Sequence, residues 1–422
     1  MSRMERIKEP PYSKLETLSP EERRDHQWTR LNQVLDVAAE RSEEFIKRME
    51  QAGMDPDDIA SLEDFASIPT FNKKQLISLQ QESGLKDLLT LEPGELSRVY
   101  MSPGPIFDPE GRGKDYWGWT EGFFAAGFRS GDLVQMTFSY HLTPAGLMLE
   151  EPLRELGCAV IPAGPGNTDV QLELMTRLPV TGFVGMASYL KIIKDKALKQ
   201  GLDVKKDLKL EAAFVAAERL APSLREELEQ EMDMLVRQGY GTADLGCAAY
   251  ECSELTGMHV SSRCYVEICD PKTGQPLPVG ETGEVVVTPF TTDYPLVRLA
   301  TGDLAYLVDD PCACGRTSAR IGAIVGRVDS TAKIKGQFLY PHQVSEVVDT
   351  FDTVEKWQLV VDNKGGRETL VMRLRVSGYL ESEGFLKAFQ EKLKLRPKLD
   401  LIDSEDDLPD DAPALVDNRT FE

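Results

Sequence analysis

From residue 130 to about residue 238 the chain alternates short apolar runs with amphipathic ones, and this rhythm constrains the fold more than any other feature. "DLVQMTFSY", "CAVIPAG", "VTGFVGMAS" and "LEAAFVAAE" read as strands. "TPAGLMLEEPLRELG", "DVQLELMTRL", "YLKIIKDKALKQG" and "APSLREELEQEMDMLVRQ" read as helices, the last opened by a Pro and a Ser. Strand, helix and strand in succession form parallel crossovers, so the run predicts an α/β, doubly wound, mainly parallel sheet. Ligands of such sheets sit beyond the carboxyl ends of the strands, which makes the loops after the strands the first places to search.

Upstream, residues 20 to 52 carry apolar residues at helical intervals among charges and predict an amphipathic helix. Downstream of residue 260, "CYVEICDPKTGQPLPVGETGEVVVTPF" predicts an antiparallel hairpin in a β-rich subdomain. The Gly-bearing "RIGAIVGRVDSTAKIKGQFLYP" then leads to helix, strand and helix signals. We therefore expect a large N-terminal domain over 1–328 and a small α+β C-terminal domain over 329–422, joined by a hinge at Asp329. Both ends read as loose, and the acidic "DSEDDLPDDAP" reads as solvated.

Charge excludes several functions. The chain has 48 basic and 70 acidic residues, a net charge of −22, which repels nucleic acid and anionic lipid. With no long apolar run and no apolar core near the first residues, neither a membrane span nor a secretory leader is expected, and the predicted setting is the cytoplasm. Seven cysteines in such a chain are expected to be reduced thiols or metal ligands. Cys252 and His259 in "ECSELTGMHV", with Cys312 and Cys314 in "PCACGRT", make three thiolates and one imidazole, the ligand set of a closed structural zinc site. The competing reading is two pairs of reduced cysteines beside a surface histidine. Cys158, Cys264 and Cys269 read as packing residues on strands.

Several segments, in order, resemble the phenylacetate-CoA ligase branch of the AMP-binding, adenylate-forming (acyl-CoA synthetase) enzymes. They are "SYHLTPAGLMLEEPLRELGCAVIPAGPGNTDVQLELM", "AAERLAPSLREELE", "GYGTADLGCAAYECSELTGMHV", "ICDPKTGQPLPVGETGEVVVTPFTTDYPLVRLATGDL", "PCACGRT" and "IVGRVDSTAKIKGQFLYPHQVSEVV". The resemblance implies a two-step reaction in which a carboxylate is joined to AMP with release of pyrophosphate and the acyl group then passes to the thiol of coenzyme A. It implies ATP or AMP, Mg2+ and coenzyme A as ligands and an aryl acid such as phenylacetate as substrate. A homodimer is a family expectation, and a protein partner is expected if adenylation has been lost.

Carried over by position, the resemblance gives Asp303 of "TGD" to the ribose hydroxyls, with Arg327 of "GRVD" as its partner. Tyr240 lies near adenine, Gly241 follows it, Thr242 donates to the α-phosphate, and Asp244 stands where the family has a Glu that holds Mg2+. Glu218 flanks adenine, while Tyr140 and His141 lie at the acid pocket, His141 orienting the acyl carboxylate. Lys335 and Gly336 lie on the loop that approaches the site for thioester formation.

Two expected features are missing. The family's phosphate loop is rich in Ser, Thr and Gly and ends with Lys, so that N–H groups and a cation wrap the β- and γ-phosphates. Here "YMSPGPIFDPEGRGKDYWGWT" brings prolines, which lack N–H groups, and the carboxylates of Asp108 and Glu110. Lys114 is the candidate replacement cation. The segment "DLPDDAPALVDNRTFE" keeps the frame of the family's C-terminal catalytic motif without its lysine. Both departures weaken adenylation. The alternative to a ligase is an AMP- or acyl-AMP-binding subunit or regulator with the same fold.

Overall fold

The computed structural model describes residues 2–102, 106–328, 332–334, 337–339, 341–364 and 367–418. It divides into two compact units, Met1–Thr301 with Ala305–Ile324, and Gly302–Leu304 with Val325–Glu422. The expected pivot Asp329 lies outside the described residues, and the division begins a few residues before it, at Val325.

The first unit is built on the predicted crossovers. Strands Ala159–Pro162, Leu133–Met136, Gly182–Gly185, Ala212–Val215 and Leu235–Thr242 lie side by side, each pair parallel. Helices Ala145–Glu155, Thr168–Arg177, Ala187–Lys199 and Pro222–Met232 connect them. Every residue of Gly182–Gly185 and Ala212–Val215 is buried, as a parallel strand covered on both faces must be. Alternation along the strands sends Val184 and Phe214 to one apolar cluster with Phe123, Leu149 and Leu153. Phe183, Ala213 and Val215 enter the other, with Leu190, Ile193 and Leu228. Each fully buried large side chain stabilises the sheet by about 1.5–3 kcal/mol.

Past Leu235–Thr242 the sheet turns antiparallel. Gly246–Glu251 and Met258–Val260 lead to Arg320–Arg327, Leu299–Val308, Gly283–Pro289 and Cys264–Cys269. The last two strands are the predicted hairpin, paired from Cys264 opposite Pro289 to Cys269 opposite Glu284.

Three readings need correction. The expected single helix over 20–52 is two helices, Pro20–Arg41 and Glu43–Ala52, parted at Ser42, whose buried side chain accepts from the Phe45 N–H. Its hydroxyl offers the new helix a cap, and a capped start is an alternative to continuing the old one. The helix read through Gln238 ends at Met232, because Asp233 turns left-handed (φ 53°) and Leu235 begins a strand. The first residues are not loose. Arg3 is 6% exposed and makes a two-pronged ion pair with Asp132 at 2.7 and 2.9 Å, and Arg129 reaches Glu9.

The second unit holds a four-stranded sheet ordered Lys398–Ile402, Arg367–Val376, Val354–Lys364, Leu415–Asp417, with helices Pro341–Val348 and Ser382–Leu393. Its core includes Val344, Leu359, Met372, Phe385 and Phe389. Glu405, Asp406, Asp407, Asp410 and Asp411 are exposed, as the acidic tract implied.

Candidate functional site

The carboxyl end of Leu235–Thr242 carries the densest set of predicted groups. The Tyr240 hydroxyl meets Thr301 Oγ1 at 3.2 Å, and the Thr242 hydroxyl donates to Asp244 Oδ1. Gly241 sits at a register shift in the pairing with Gly246–Glu251. A Cβ there would lie 2.1 Å from the Gly246 carbonyl oxygen and 2.8 Å from the Trp119 ring, so the turn admits only glycine. The close approach holds Tyr240, Thr242 and Asp244 in one rigid frame.

Lys73 completes this frame and was missed in the sequence. Its Nζ lies 3.4 Å from Asp244 Oδ1, and Asp244 is 4% exposed. Lys73 is the first residue of helix Lys73–Ser83, capped by Asn72. A cation at a helix N-terminus opposes the helix dipole, and this local penalty in "FNKK" was the available signal.

The segment opened by "YMSPGP" is a hairpin, Arg98–Ser102 paired with Ile106–Glu110, and residues 103–105 at its tip lie outside the described residues. The tip end adjoins the loop after the first parallel strand, where the Met101 N–H donates to the Leu142 carbonyl at 2.9 Å. At the base, Arg98 pairs with Glu110 at 2.6 Å and with Glu151 at 2.8 Å. Glu110 therefore does not face an incoming phosphate as expected. Glu110 is buried and held by Arg98 and the Tyr100 hydroxyl. Asp108 is fully buried, and burial, then the charge of Asp244, raises its carboxyl to about 7. Lys114 is the candidate replacement cation. It lies beyond the base, 88% exposed and 4.0 Å from Glu155 at the far end of helix Ala145–Glu155. Eleven helical residues, about 16 Å of rise, separate that end from the loop beside the tip.

Tyr140 turns its hydroxyl onto Glu150 at 2.5 Å, so burial and this bond raise its pKa well above the usual phenol value. His141 is exposed, its N–H donating to Ser139 Oγ at 3.2 Å. Glu218 accepts from the Ser188 N–H at 2.6 Å and the Ser188 hydroxyl at 2.9 Å, after the left-handed Ala217 (φ 70°). In the second unit Arg327 Nη1 donates to Asp303 Oδ1 at 2.9 Å. Lys335 and Gly336 lie outside the described residues.

The four predicted metal ligands do come together: one ligand atom from each of Cys252, His259, Cys312 and Cys314 lies within 4.8 Å of all the others. Cys252 and Cys312 Sγ are 3.7 Å apart, and Cys314 Sγ is 3.3 Å from His259 Nε2. His259 Nδ1 faces the Ser318 carbonyl at 3.3 Å, the partner that would fix Nε2 as a metal-facing lone pair. A hydrogen bond from Cys252, with His259 close by, holds the Cys314 thiol well below the ordinary thiol range. Behind the cluster, Arg316 and the Tyr250 hydroxyl both reach Glu16, tying the first residues to this loop.

The family model for AMP-binding enzymes matches residues 131–289. Over 376 residues, 86% of this chain and 83% of the relative, the chain is 31% identical to the phenylacetate-coenzyme A ligase of Thermus thermophilus. The chain belongs to the phenylacetate-coenzyme A ligase family. The phenylacetate-coenzyme A ligase of Pseudomonas putida is 32% identical over 346 residues, 79% of this chain and 77% of that one. Among solved structures, an open conformation of 2-hydroxyisobutyryl-CoA ligase in complex with 2-HIB-AMP and CoA has a TM-score of 0.84, covering 97% of this chain and 96% of that one. Its identity is 23%, so that likeness is one of fold. No helix among the described residues is long and apolar enough to cross a membrane.

Proposed function

We propose that this chain is a carboxylate-CoA ligase in which acid, ATP and coenzyme A give acyl-CoA, AMP and pyrophosphate, with an aryl acid such as phenylacetate as substrate. The observation that carries the reading is the turn Tyr240–Asp244 with Lys73 against it, at the carboxyl end of a parallel strand. Tyr240 lies against adenine and Thr242 donates to the α-phosphate. Asp244 is an oxygen ligand for Mg2+, which neutralises phosphate charge when bound. Lys73 supplies a cation in place of the loop lysine that the hairpin lacks. Asp303 accepts from both ribose hydroxyls, and Arg327 holds that carboxylate in place. Attack of the acid on the α-phosphorus releases pyrophosphate, and attack of the CoA thiol on the acyl carbon releases AMP. His141 and Lys335 are assigned to the acyl carboxylate and the thioester step by resemblance alone.

The thiolate cluster is read as structural zinc. Zn–S of about 2.3 Å and Zn–N of about 2.0 Å give tetrahedral edges of roughly 3.5–3.8 Å, close to the 3.7 and 3.3 Å found here. Four protein ligands leave no open position for substrate.

A second reading is favoured by the placement of Lys114 and by the lack of a lysine within the segment "DLPDDAPALVDNR": an AMP- or acyl-AMP-binding protein that does not adenylate and acts with a partner. Acid-dependent exchange of labelled pyrophosphate into ATP separates the two. Exchange with an aryl acid supports the ligase; AMP binding with no exchange across a broad acid panel rejects it and leaves the binding protein.

A further inference from the structure

Asp108 is completely buried, and neither carboxylate oxygen makes a hydrogen bond of good geometry, Ser102 acting on it as a donor only outside that geometry. An unpartnered buried carboxylate costs several kcal/mol, about as much as a domain can spare, so it calls for an explanation such as a bound ion. Asp244 repeats the pattern: Oδ1 meets Thr242 and Lys73, and buried Oδ2 has no partner. The two carboxylates share one neighbourhood: Asp244 and Tyr294 line one small cavity, Gln80 ties the Tyr294 hydroxyl to Phe107 beside Asp108, and Asp244 and Lys73 both act on the Asp108 charge.

The frame that positions Asp108 is stiff. Gln80 accepts from the Phe107 N–H at 2.6 Å and donates to the Phe107 carbonyl and to the Tyr294 hydroxyl, each at 2.9 Å. Asp108, the next residue, is thereby fixed on its strand. Unpartnered carboxylate oxygens on two rigid supports are the donors a hard divalent cation takes, and water or neighbouring hydroxyls can fill its remaining positions.

We propose that Asp108 joins Asp244 in holding a divalent cation of the Mg2+ type, and that the ion binds before the nucleotide does. The inference rests on the nucleotide-site reading of Asp244. Its logic is charge: two carboxylates and Lys73 sum to a negative site that repels a polyphosphate, and a divalent ion reverses the sign. The hairpin would then attract pyrophosphate oxygens through a metal in place of a loop lysine.

The test uses the full chain, saturated with zinc, and Mn2+ alone as probe, read by Mn2+ electron paramagnetic resonance and by thermal melting. The wild type should bind one Mn2+ without nucleotide and melt higher with it. Asp108→Asn and Asp244→Asn should each bind at least about tenfold more weakly and show no Mn2+-dependent melting shift. Asparagine removes the unpaired charge, so Asp108→Asn should melt no lower than wild type in metal-free buffer; if it fails to fold, Asp108→Ser enters the same comparison. Absence of Mn2+ binding to the nucleotide-free wild type overturns the proposal, as does an Asp108 variant that binds like wild type. Pyrophosphate exchange without such binding sinks this inference alone, and Mn2+ binding without exchange sinks only the adenylation reading.

Discussion

Stripping the metal from the thiolate cluster should lower the melting temperature by about 6 °C, and the size follows from the chain. The cluster ties Cys252 to Cys312 across 60 residues. Treated as a cross-link, a loop of that length removes about 14 cal/mol/K from the unfolded chain, or about 4 kcal/mol at 25 °C. Mass action gives a similar figure. A structural zinc at the weak end, about 10 kcal/mol, has Kd near 50 nM, so about 10 µM free zinc stabilises by about 3 kcal/mol. The first unit spans about 320 residues, with an unfolding entropy near 0.7 kcal/mol/K, which converts 4 kcal/mol to about 6 °C. The assay is metal analysis of purified protein, then calorimetry before and after a chelator and after zinc is restored. Cys314→Ser should behave as the stripped protein and not respond to zinc. A chain that holds no zinc after gentle preparation, or melts identically with and without it, refutes the reasoning.

Glu121 is buried, and burial raises its carboxyl to about 7 while Ser262 donates to it through both N–H and hydroxyl. A raised folded pKa means stability that is complete below about pH 4.5 and lost as pH climbs through 7, by about 3 kcal/mol in all. Urea unfolding from pH 5 to 8.5 should show the decline in wild type and a flatter profile in Glu121→Gln; parallel profiles would contradict it. Asp303→Ala should weaken AMP by roughly a hundredfold through two lost charge-assisted hydrogen bonds, measured by calorimetry, and unchanged affinity would remove Asp303 from the ribose. Lys73→Met should slow pyrophosphate exchange by about a hundred- to a thousandfold, whereas Lys114→Ala should leave it unaltered. The reverse ranking would restore Lys114 to the phosphates.

The middle of the parallel half was legible because Gly182–Gly185 and Ala212–Val215 are buried on both faces and so appear as uninterrupted apolar runs between helices. The same property misled at residue 233. Met234, Leu235 and Val236 continue an apolar run that suits a helix or a strand, and the left-handed turn of Asp233 comes without the glycine that usually announces it. The gathering of Cys252, His259, Cys312 and Cys314 was legible from residue type alone, although their spacing fits no standard finger. Lys114 and Lys73 show the limit of proximity along the chain. Lys114 is close to the hairpin in sequence and leads away from it, whereas Lys73 reaches Asp244 from 171 residues upstream. Only packing of helix Lys73–Ser83 against the sheet brings that pair together, and no local pattern records it.

The buried contacts of the first residues bear on how this protein is handled. A shortened chain starting at Pro20 would make a tidy boundary, since Ser19 caps a long helix there. It would also strip Arg3 and Arg6 from Asp132, and Glu16 from Arg316 beside the thiolate cluster. Each orphaned buried charge costs about 3–5 kcal/mol, enough for two such losses to consume the stability of an ordinary domain. A purification tag therefore belongs on a spacer ahead of Ser2, and a truncation chosen by helix boundaries should come out of the cell as aggregate.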